Sequence, residues 1–164
     1  EELHRSLERL QVDHVDLWQM HFLIEEDDWQ TAMGPKGALE AFIEAKEQGL
    51  VRFLGVTGHE IRVTNFHERS LDRYDFDSIL FPLSFPIWIK EEFGPTVHQR
   101  ASQADRGILA IKAMAHQRWG QASSPDRQRW NKTWYEPFDE VDRVSLGLRF
   151  TLHSPAHAMI PPGH

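Results

Sequence analysis

The feature that most restricts the fold of this chain is a repeated order of amphipathic helix and short apolar strand. Residues 3–10 carry leucines at helical spacing, and the apolar run 15–20 follows after a few residues. A second amphipathic segment starts near Lys36 and is followed by the apolar run 51–56. Strands that alternate with helices in this way form parallel sheets whose faces are covered by the helices.

The same order continues through the rest of the sequence. Gly49 is placed to end the second helix, because glycine adopts the left-handed backbone conformation at little cost. The last helix carries Val141, Val144 and Leu148 on one apolar stripe, which a helix of this kind turns toward the core. The later segments predict, in chain order, a helix over 61–71, a strand over 76–83, a helix over 94–105, a strand over 107–113, a helix over 139–152 and a strand over 158–160.

The number of strands and the lack of one motif decide the architecture. No Gly-x-Gly-x-x-Gly follows any of these strands, which argues against a dinucleotide-binding Rossmann sheet. We therefore expect an α/β fold, a partial (β/α)8 TIM barrel of parallel strands alternating with helices, as a single domain over residues 1–164. A complete barrel takes about 250 residues, so about three strand-helix units would lie outside this sequence. An open arc with two bare edges is not expected to be stable alone.

Composition excludes several classes of function. The 164 residues are 40% hydrophobic, enough for one core, and contain no cysteine, which removes disulfides and thiolate metal sites. The net charge of -7 gives no basis for a nucleic-acid partner. No apolar stretch approaches the roughly 20 residues of a membrane helix, so we expect no membrane partner and a cytoplasmic location.

Three polar features interrupt the alternation. The acidic run 25–28 is expected to be a solvated loop. Residues 116–137 are expected to form a long polar loop rich in tryptophan. Lys112 lies within a predicted strand, where it must face the lumen or reach outward to solvent. A Schiff-base role for this lysine would need a desolvated pocket.

The segment 7–21 carries a resemblance to a known family. It reads Leu-Glu-Arg-Leu-Gln-Val-Asp-His-Val-Asp-Leu-Trp-Gln-Met-His and resembles the helix-strand signature of the aldo-keto reductases, in which such a strand ends in the active-site histidine. Further segments agree in order and spacing, namely 37–41 with 49–59, 81–86, 107–114 and 148–161. The resemblance implies a fragment covering about strands four to eight of the barrel, with the front third missing.

This resemblance implies an activity and one catalytic residue. The family reduces aldehydes and ketones with hydride from NADP(H), using a tyrosine acid supported by a lysine and an aspartate, and a histidine that orients the carbonyl. By position only His21 of that tetrad is present. Tyr74 and Tyr135 are the only tyrosines, and neither lies in the family's tyrosine motif. We therefore expect an oxidoreductase acting on a small-molecule carbonyl substrate, inactive as this fragment.

The residues themselves agree with the role that the resemblance gives His21. Strand alternation places His21 on the same face as Val15, Leu17 and Gln19, at the carboxyl end of a barrel strand, where such enzymes assemble their sites. A neutral imidazole there can donate a hydrogen bond to a carbonyl oxygen that gains negative charge. The competing interpretation is a structural histidine with no part in chemistry.

The cofactor segment is a modified form of the family pattern. Where the family has a Ser-Asn pair that binds the nicotinamide carboxamide, this chain has Thr57 and Gly58, and we assign cofactor binding to these residues together with His59. Near Ser84 the usual glutamine is absent, and Ala113 or Met114 stands where the family often has an aromatic that stacks on the nicotinamide. NADP(H) is the expected cofactor, and NAD(H) remains open.

Two other classes of function stay in view. The chain could be a truncated, non-catalytic barrel that serves as a binding or regulatory subunit. A metal-dependent hydrolase would need ligands at the strand ends, where this chain has His21, Thr57, Ser84 and Met114, which is a poor metal set. No metal site is expected.

Overall fold

The structure is a computed structural model that describes residues 1–60, 62–91, 95–120 and 125–161. The chain separates into two compact units, Glu1–Ile79 and Leu80–His164. The first unit contains, in chain order, α1 (Glu2–Leu10), β1 (Val15–Met20), α2 (Glu26–Met33), α3 (Ala38–Glu47), β2 (Val51–Thr57), α4 (Val63–Arg73) and the first residues of β3 (Ser78–Pro82).

The second unit continues the alternation of strands and helices and adds two short antiparallel strands. After the end of β3 it contains α5 (Phe85–Glu91), α6 (Pro95–Gln103), β4 (Gly107–Ile111), β5 (Ala115–Gln117), α7 (Pro125–Arg129), β6 (Glu136–Pro137), α8 (Val141–His153) and β7 (Ala158–Ile160).

The main sheet follows the chain order. Its five strands are arranged as β1-β2-β3-β4-β7, and β5 pairs with β6 in a separate two-stranded sheet. The β1–β2 and β4–β7 pairs are parallel, with Val15 opposite Val51 and Leu109 opposite Ala158, whereas β5 and β6 are antiparallel. The predicted α/β class, with parallel strands that alternate with helices as in a partial (β/α)8 barrel, is confirmed.

The helix-covered side of the first unit is built as the sequence pattern predicts. On α3 the apolar side chains Leu39, Phe42 and Ala45 are all buried, and the Phe42 ring stacks on Trp18 of β1 with centroids 3.6 Å apart. Gly49 ends this segment in the left-handed conformation, at φ 75°. The second predicted helix, its glycine stop and the strand after it are therefore confirmed.

One carboxylate joins this helix to the sheet. Asp77 accepts hydrogen bonds through Oδ2 from the Lys46 ammonium of α3 at 2.7 Å and from the Leu54 backbone amide of β2 at 2.8 Å. The Asp77 amide in turn donates to the Leu54 carbonyl at 2.8 Å. Because Asp77 immediately precedes β3, these bonds anchor the start of that strand beside β2.

The acidic run that we expected to be a loop is instead the start of α2. Glu26, Asp27 and Asp28 occupy the first helical turn, where the positive end of the helix dipole stabilises negative side chains. Arg69 of α4 forms a bidentate ion pair with Glu26, at 2.6 and 2.8 Å. The prediction overlooked that carboxylates at a helix start favour helix, and it could not see a partner 43 residues away.

Three predictions for the second unit need correction. The polar segment 116–137 is not one loop, because it contains most of β5, all of α7 and β6. The strand predicted over 107–113 ends at Ile111, since Lys112 has a left-handed backbone at φ 59° that breaks the extended conformation. On α8 the buried residues are Gly147 and Thr151, not the predicted apolar stripe.

The helices of the described ranges are short. Within them, no helix combines the length and the apolar character needed to cross a bilayer. Among the described residues the longest helix is α8, whose 13 residues are fewer than the roughly 20 that a spanning helix requires.

Candidate active site

The predicted catalytic histidine lies at the carboxyl end of the first strand. His21 immediately follows Met20, the last residue of β1, and its side chain is exposed. Its ring lies 5.8 Å from the Phe22 ring and 5.7 Å from the His59 imidazole, measured between centroids. The strand end therefore places two imidazoles side by side in the first unit.

The two faces of β1 are distinguishable by their contacts. Trp18 stacks on a helix, so alternation places Leu17 and Gln19 on the opposite face, away from the helices. Leu17 and its register partner Phe53 are 36% and 44% exposed, respectively. The expectation that His21 shares this open face stays a prediction, because the residue lies one position beyond the strand.

Thr57 is positioned to fix the segment that carries His21. It is the last residue of β2, is 7% exposed, and its Oγ1 accepts a hydrogen bond from the Phe22 amide at 3.0 Å. Phe22 has a left-handed backbone at φ 62°, a conformation that costs a non-glycine residue energy unless its surroundings hold it. The parallel register, with Met20 opposite Val56, brings these groups together.

Gly58 is required by close packing. A Cβ at this position would overlap the Val63 side chain at the start of α4 and would come within 3.3 Å of Ile24 Cγ2. Any larger residue would push α4 away from the end of β2. The predicted cofactor role of Gly58 is therefore accompanied by a plain structural reason for the glycine.

His59 completes the group of residues that the strand ends bring together. Its half-buried ring lies 5.5 Å from the Phe22 ring as well as beside His21. Phe22 therefore lies near both imidazoles, and the sequence alone did not indicate this position. No local signal could have revealed it, since it depends on a left-handed residue and on the pairing of two strands.

An arginine links the loops that follow these strands. Arg62 donates to both carboxylate oxygens of Glu25, at 2.7 and 3.3 Å, and also pairs with Glu60 at 3.4 Å. The hydrogen bonds that Arg62 donates to Glu25 and, to a lesser extent, to Glu60 raise the pKa of Arg62. Glu25 lies in the loop after β1 and Glu60 in the loop after β2, so the ion pairs hold both loops in one arrangement.

The two tyrosines of the sequence have different surroundings. Tyr74 follows α4, and its ring packs edge-on against Phe76, with centroids 5.0 Å apart. Tyr135 belongs to the second unit, and burial raises its pKa, which makes its hydroxyl a weaker proton donor. That neither tyrosine replaces the acid of the tetrad stays a prediction.

The other strand ends offer little chemistry. Ser84, two residues after β3, is fully buried, and its hydroxyl has no hydrogen-bond partner within the described part of the chain. Met114 is buried as well. The described ranges contain no group of three or more metal-ligating side chains. His157 uses its Nδ1 to accept the Ile108 amide at 3.1 Å, and so braces β7 against β4.

Comparison with known proteins agrees with this fold. The structure superposes on a Pseudomonas aeruginosa protein whose name assigns it to the aldo-keto reductases, with a TM-score of 0.64 at 19% identity, covering 96% of this chain and 50% of that one. An aldo-keto reductase of the silkworm Bombyx mori, solved with NADPH, gives a TM-score of 0.58 at 15% identity, covering 96% and 48%. At such identities the likeness concerns the fold: a partial (β/α)8 barrel.

The sequence comparisons find the same family in the first part of the chain. Residues 1–77 match the model of the Aldo/keto reductase family. The chain is 26% identical over 176 aligned positions to the uncharacterized oxidoreductase YqkF of Bacillus subtilis, covering 99% of this chain and 55% of that protein. The first 77 residues are therefore similar to the aldo/keto reductase family, and the chain spans about half the length of the relatives it matches.

Proposed function

We propose that the protein is an oxidoreductase that moves hydride between NADP(H) and a small carbonyl or alcohol substrate. The match of residues 1–77 to the family model supports this class of reaction, and the observation that carries the proposal is the cluster of His21, Thr57 and His59 at two adjacent strand ends. Clusters of polar side chains at the carboxyl ends of parallel strands are where barrel enzymes place their chemistry.

In this proposal His21 orients the substrate. Its imidazole donates one hydrogen bond to the carbonyl oxygen, which gains negative charge as the carbonyl is reduced. Thr57 positions His21, because the hydrogen bond from the Phe22 amide to the Thr57 hydroxyl fixes the backbone next to the histidine. Phe22, with its side chain 36% exposed, shields the histidine from part of the solvent.

The residues at the carboxyl end of β2 can bind a nicotinamide carboxamide in this proposal. Thr57 Oγ1 uses a lone pair to accept the Phe22 amide and keeps its own proton to donate to a carboxamide oxygen. His59 adds a second polar group, while Gly58 keeps α4 close to this turn. The cofactor supplies the hydride when bound, and the chain supplies orientation. NAD(H) is a second possibility for the same contacts.

The direct test uses the longest polypeptide that the gene encodes. Reduction of 4-nitrobenzaldehyde by NADPH is followed at 340 nm for the natural protein and for His21→Gln. We expect the substitution to lower kcat roughly 100-fold, as loss of one oxyanion donor does. His4→Gln, an exposed histidine on α1, is the matched control and should keep the full rate. No reduction of any aldehyde or ketone by the natural protein would overturn the proposal.

The 164-residue chain is proposed to be inactive by itself. Tyr74 and Tyr135 are the only tyrosines of the sequence, and neither lies in the family's tyrosine motif, which supports this proposal. The alternative function, a non-catalytic barrel that acts as a binding or regulatory subunit, gains from the same observation. Titration of tryptophan fluorescence with NADPH separates the cases: we expect weak or no binding to this chain, and micromolar binding would contradict that expectation.

A further inference from the structure

A wide apolar groove lies wholly within the second unit, between α5, β5 and α8. Its volume is about 780 Å³. Pockets that bind small molecules enclose roughly 300–1,000 Å³ and are lined mainly by apolar side chains. We call this feature the α5–α8 groove. Its apolar walls are formed by Phe85, Ile89, Phe138, Leu146 and Phe150.

The walls hold large side chains that the fold leaves open to solvent. Leu146 and Ile89 are 65% and 61% exposed, and Phe85 is 48% exposed. The Phe85 and Phe150 rings pack edge to face, with centroids 5.8 Å apart, so the groove has a formed aromatic wall. Apolar side chains grouped around a concave surface mark a binding site more often than scattered ones do.

The edge of the groove is basic, although the chain as a whole carries a net charge of -7. Arg143, Arg149, His116 and His153 all line it. Two of these groups already have acidic neighbours: Arg143 pairs with Glu140 at 3.0 Å, and His116 lies 3.5 Å from Glu136.

Arg149 is different from the other basic groups. Its guanidinium has no carboxylate partner within the described ranges, and its side chain is exposed. The backbone carbonyl of Arg149 is bonded to His153 Nδ1 at 2.8 Å, which fixes the histidine one turn along the same helix face. A guanidinium presents a planar fork of donors that matches the two oxygens of a carboxylate.

We propose that the α5–α8 groove is a binding site for a small amphipathic carboxylate, with its apolar body against the phenylalanines and its carboxylate on Arg149. Charge complementarity selects this ligand class, since the apolar wall and an uncompensated cation adjoin each other. The proposal does not rest on the proposed hydride transfer, because the residues that line the groove are not among those assigned to that reaction.

The test compares two ligands that differ only in charge at one end. Octanoate and 1-octanol are titrated into the protein by isothermal calorimetry at low salt. We expect octanoate to bind at one site per chain and about tenfold more tightly than octanol, because only the carboxylate engages the guanidinium. Equal affinity for the two ligands, or no binding of octanoate, would overturn the proposal.

Variants locate the site on the protein. Arg149→Leu should weaken octanoate binding about tenfold and leave octanol binding unchanged, and Arg149→Gln serves as a second variant if the first is poorly folded by circular dichroism. Leu146→Trp should weaken both ligands by filling the groove. Arg9→Leu, which removes an exposed arginine of α1, is the matched control and should change neither affinity.

A second copy of the chain is the competing occupant of the same surface. Sedimentation velocity of the natural protein and of Leu146→Glu distinguishes it. A monomer in both cases agrees with the ligand site. A dimer that Leu146→Glu dissociates and that octanoate leaves intact would show the groove to be a self-interface, and the proposal would be wrong.

Discussion

Helices α3 and α8 carry similar numbers of apolar residues but have different environments. On α3 the side chains of Leu39, Phe42 and Ala45 are buried, and Phe42 stacks on Trp18 of the sheet. On α8 the exposed fraction is 83% for Val141 and 65% for Leu146. One helix uses its apolar residues for the core, and the other leaves several of them in solvent.

The buried side of α8 explains the difference. Its fully buried positions are Gly147 and Thr151, two small residues. A Cβ at Gly147 would come within 3.3 Å of the Ala113 carbonyl, so the helix approaches the sheet end through its small residues. The larger side chains, Leu146 among them, are consequently left on the sides that form the α5–α8 groove. Apolar periodicity predicts that a helix forms, but close approach to the neighbouring element decides which face is buried.

The largest effect should come from truncating the buried phenylalanine of α3, for which a half-exposed phenylalanine of the groove serves as the comparison. Phe42→Ala removes a buried ring and its stack on Trp18, and should lower the free energy of unfolding by about 3–5 kcal/mol. Phe85→Ala, on the groove wall of α5, should cost less than about 1 kcal/mol because its ring is half exposed. Urea denaturation followed by circular dichroism measures both. Similar losses for the two variants would remove the distinction between the two regions.

A buried polar pair gives the next largest effect. Trp29 Nε1 donates to Ser70 Oγ at 2.9 Å, and Ser70 Oγ donates to the Phe66 carbonyl at 2.7 Å, both in buried surroundings. Ser70→Ala leaves the indole N–H without its acceptor and should cost about 1–3 kcal/mol. Ser6→Ala removes an exposed hydroxyl bonded to the Glu2 carbonyl and should be nearly neutral. The same urea titration checks both, and a neutral Ser70→Ala would mean that water replaces the bond.

The parts of the fold that sequence predicts are those fixed by local chemistry. The strand 15–20, the helix ending before Gly49 and the strand after it all depend on short-range periodicity and one left-handed glycine. The helix α2 was missed because its first turn is purely acidic, and its ion pair with Arg69 joins distant segments. The sequence predicts Lys112 to lie in a strand, because nothing in a lysine side chain indicates a left-handed backbone conformation.

The candidate site divides in the same way. The place of His21 at a strand end follows from the chain itself, since the apolar run stops at Met20. The bond between the Phe22 amide and Thr57 needs the register of two strands and a left-handed residue, so no local pattern contains it. The α5–α8 groove depends on which face of α8 packs against its neighbours. Apolar periodicity in the sequence does not determine that face.

A smaller effect is expected from removing the hydroxyl of Thr57, which tests whether its hydrogen bond to the Phe22 amide positions His21. Thr57→Val keeps the side-chain shape and removes the acceptor of the Phe22 amide, which should cost about 0.5–1.5 kcal/mol. Thr57→Ser restores the hydroxyl and should recover most of that loss. The His21 ring signals in ¹H–¹⁵N NMR spectra should shift in the valine variant and not in the serine variant. Unchanged signals in both would show that Thr57 does not position the histidine.

The smallest effect concerns the surface pair at the start of α2. Hydrogen bonds from Arg69 and then from Gln30 lower the pKa of Glu26 from 4.5 to about 2. Because the folded state binds this proton less readily than the unfolded chain does, the pair stabilises the fold above pH 4.5, and its contribution disappears as the pH falls toward 2.

Arg69→Met, which keeps an apolar side chain beside Trp29, should return the pKa of Glu26 toward 4.5 in a carboxyl-carbon NMR titration. It should also flatten the fall of the urea midpoint between pH 5 and pH 3, and 0.5 M NaCl should reduce the difference from the natural protein. Glu26 and Arg69 are 55% and 30% exposed, so solvent screens the pair and its effect should be smaller than that of any buried contact. If the variant and the natural protein lost stability in parallel on acidification, the prediction would be wrong. The contact between α2 and α4 would then be stabilised by apolar packing and the Trp29 hydrogen bond, and not by the ion pair.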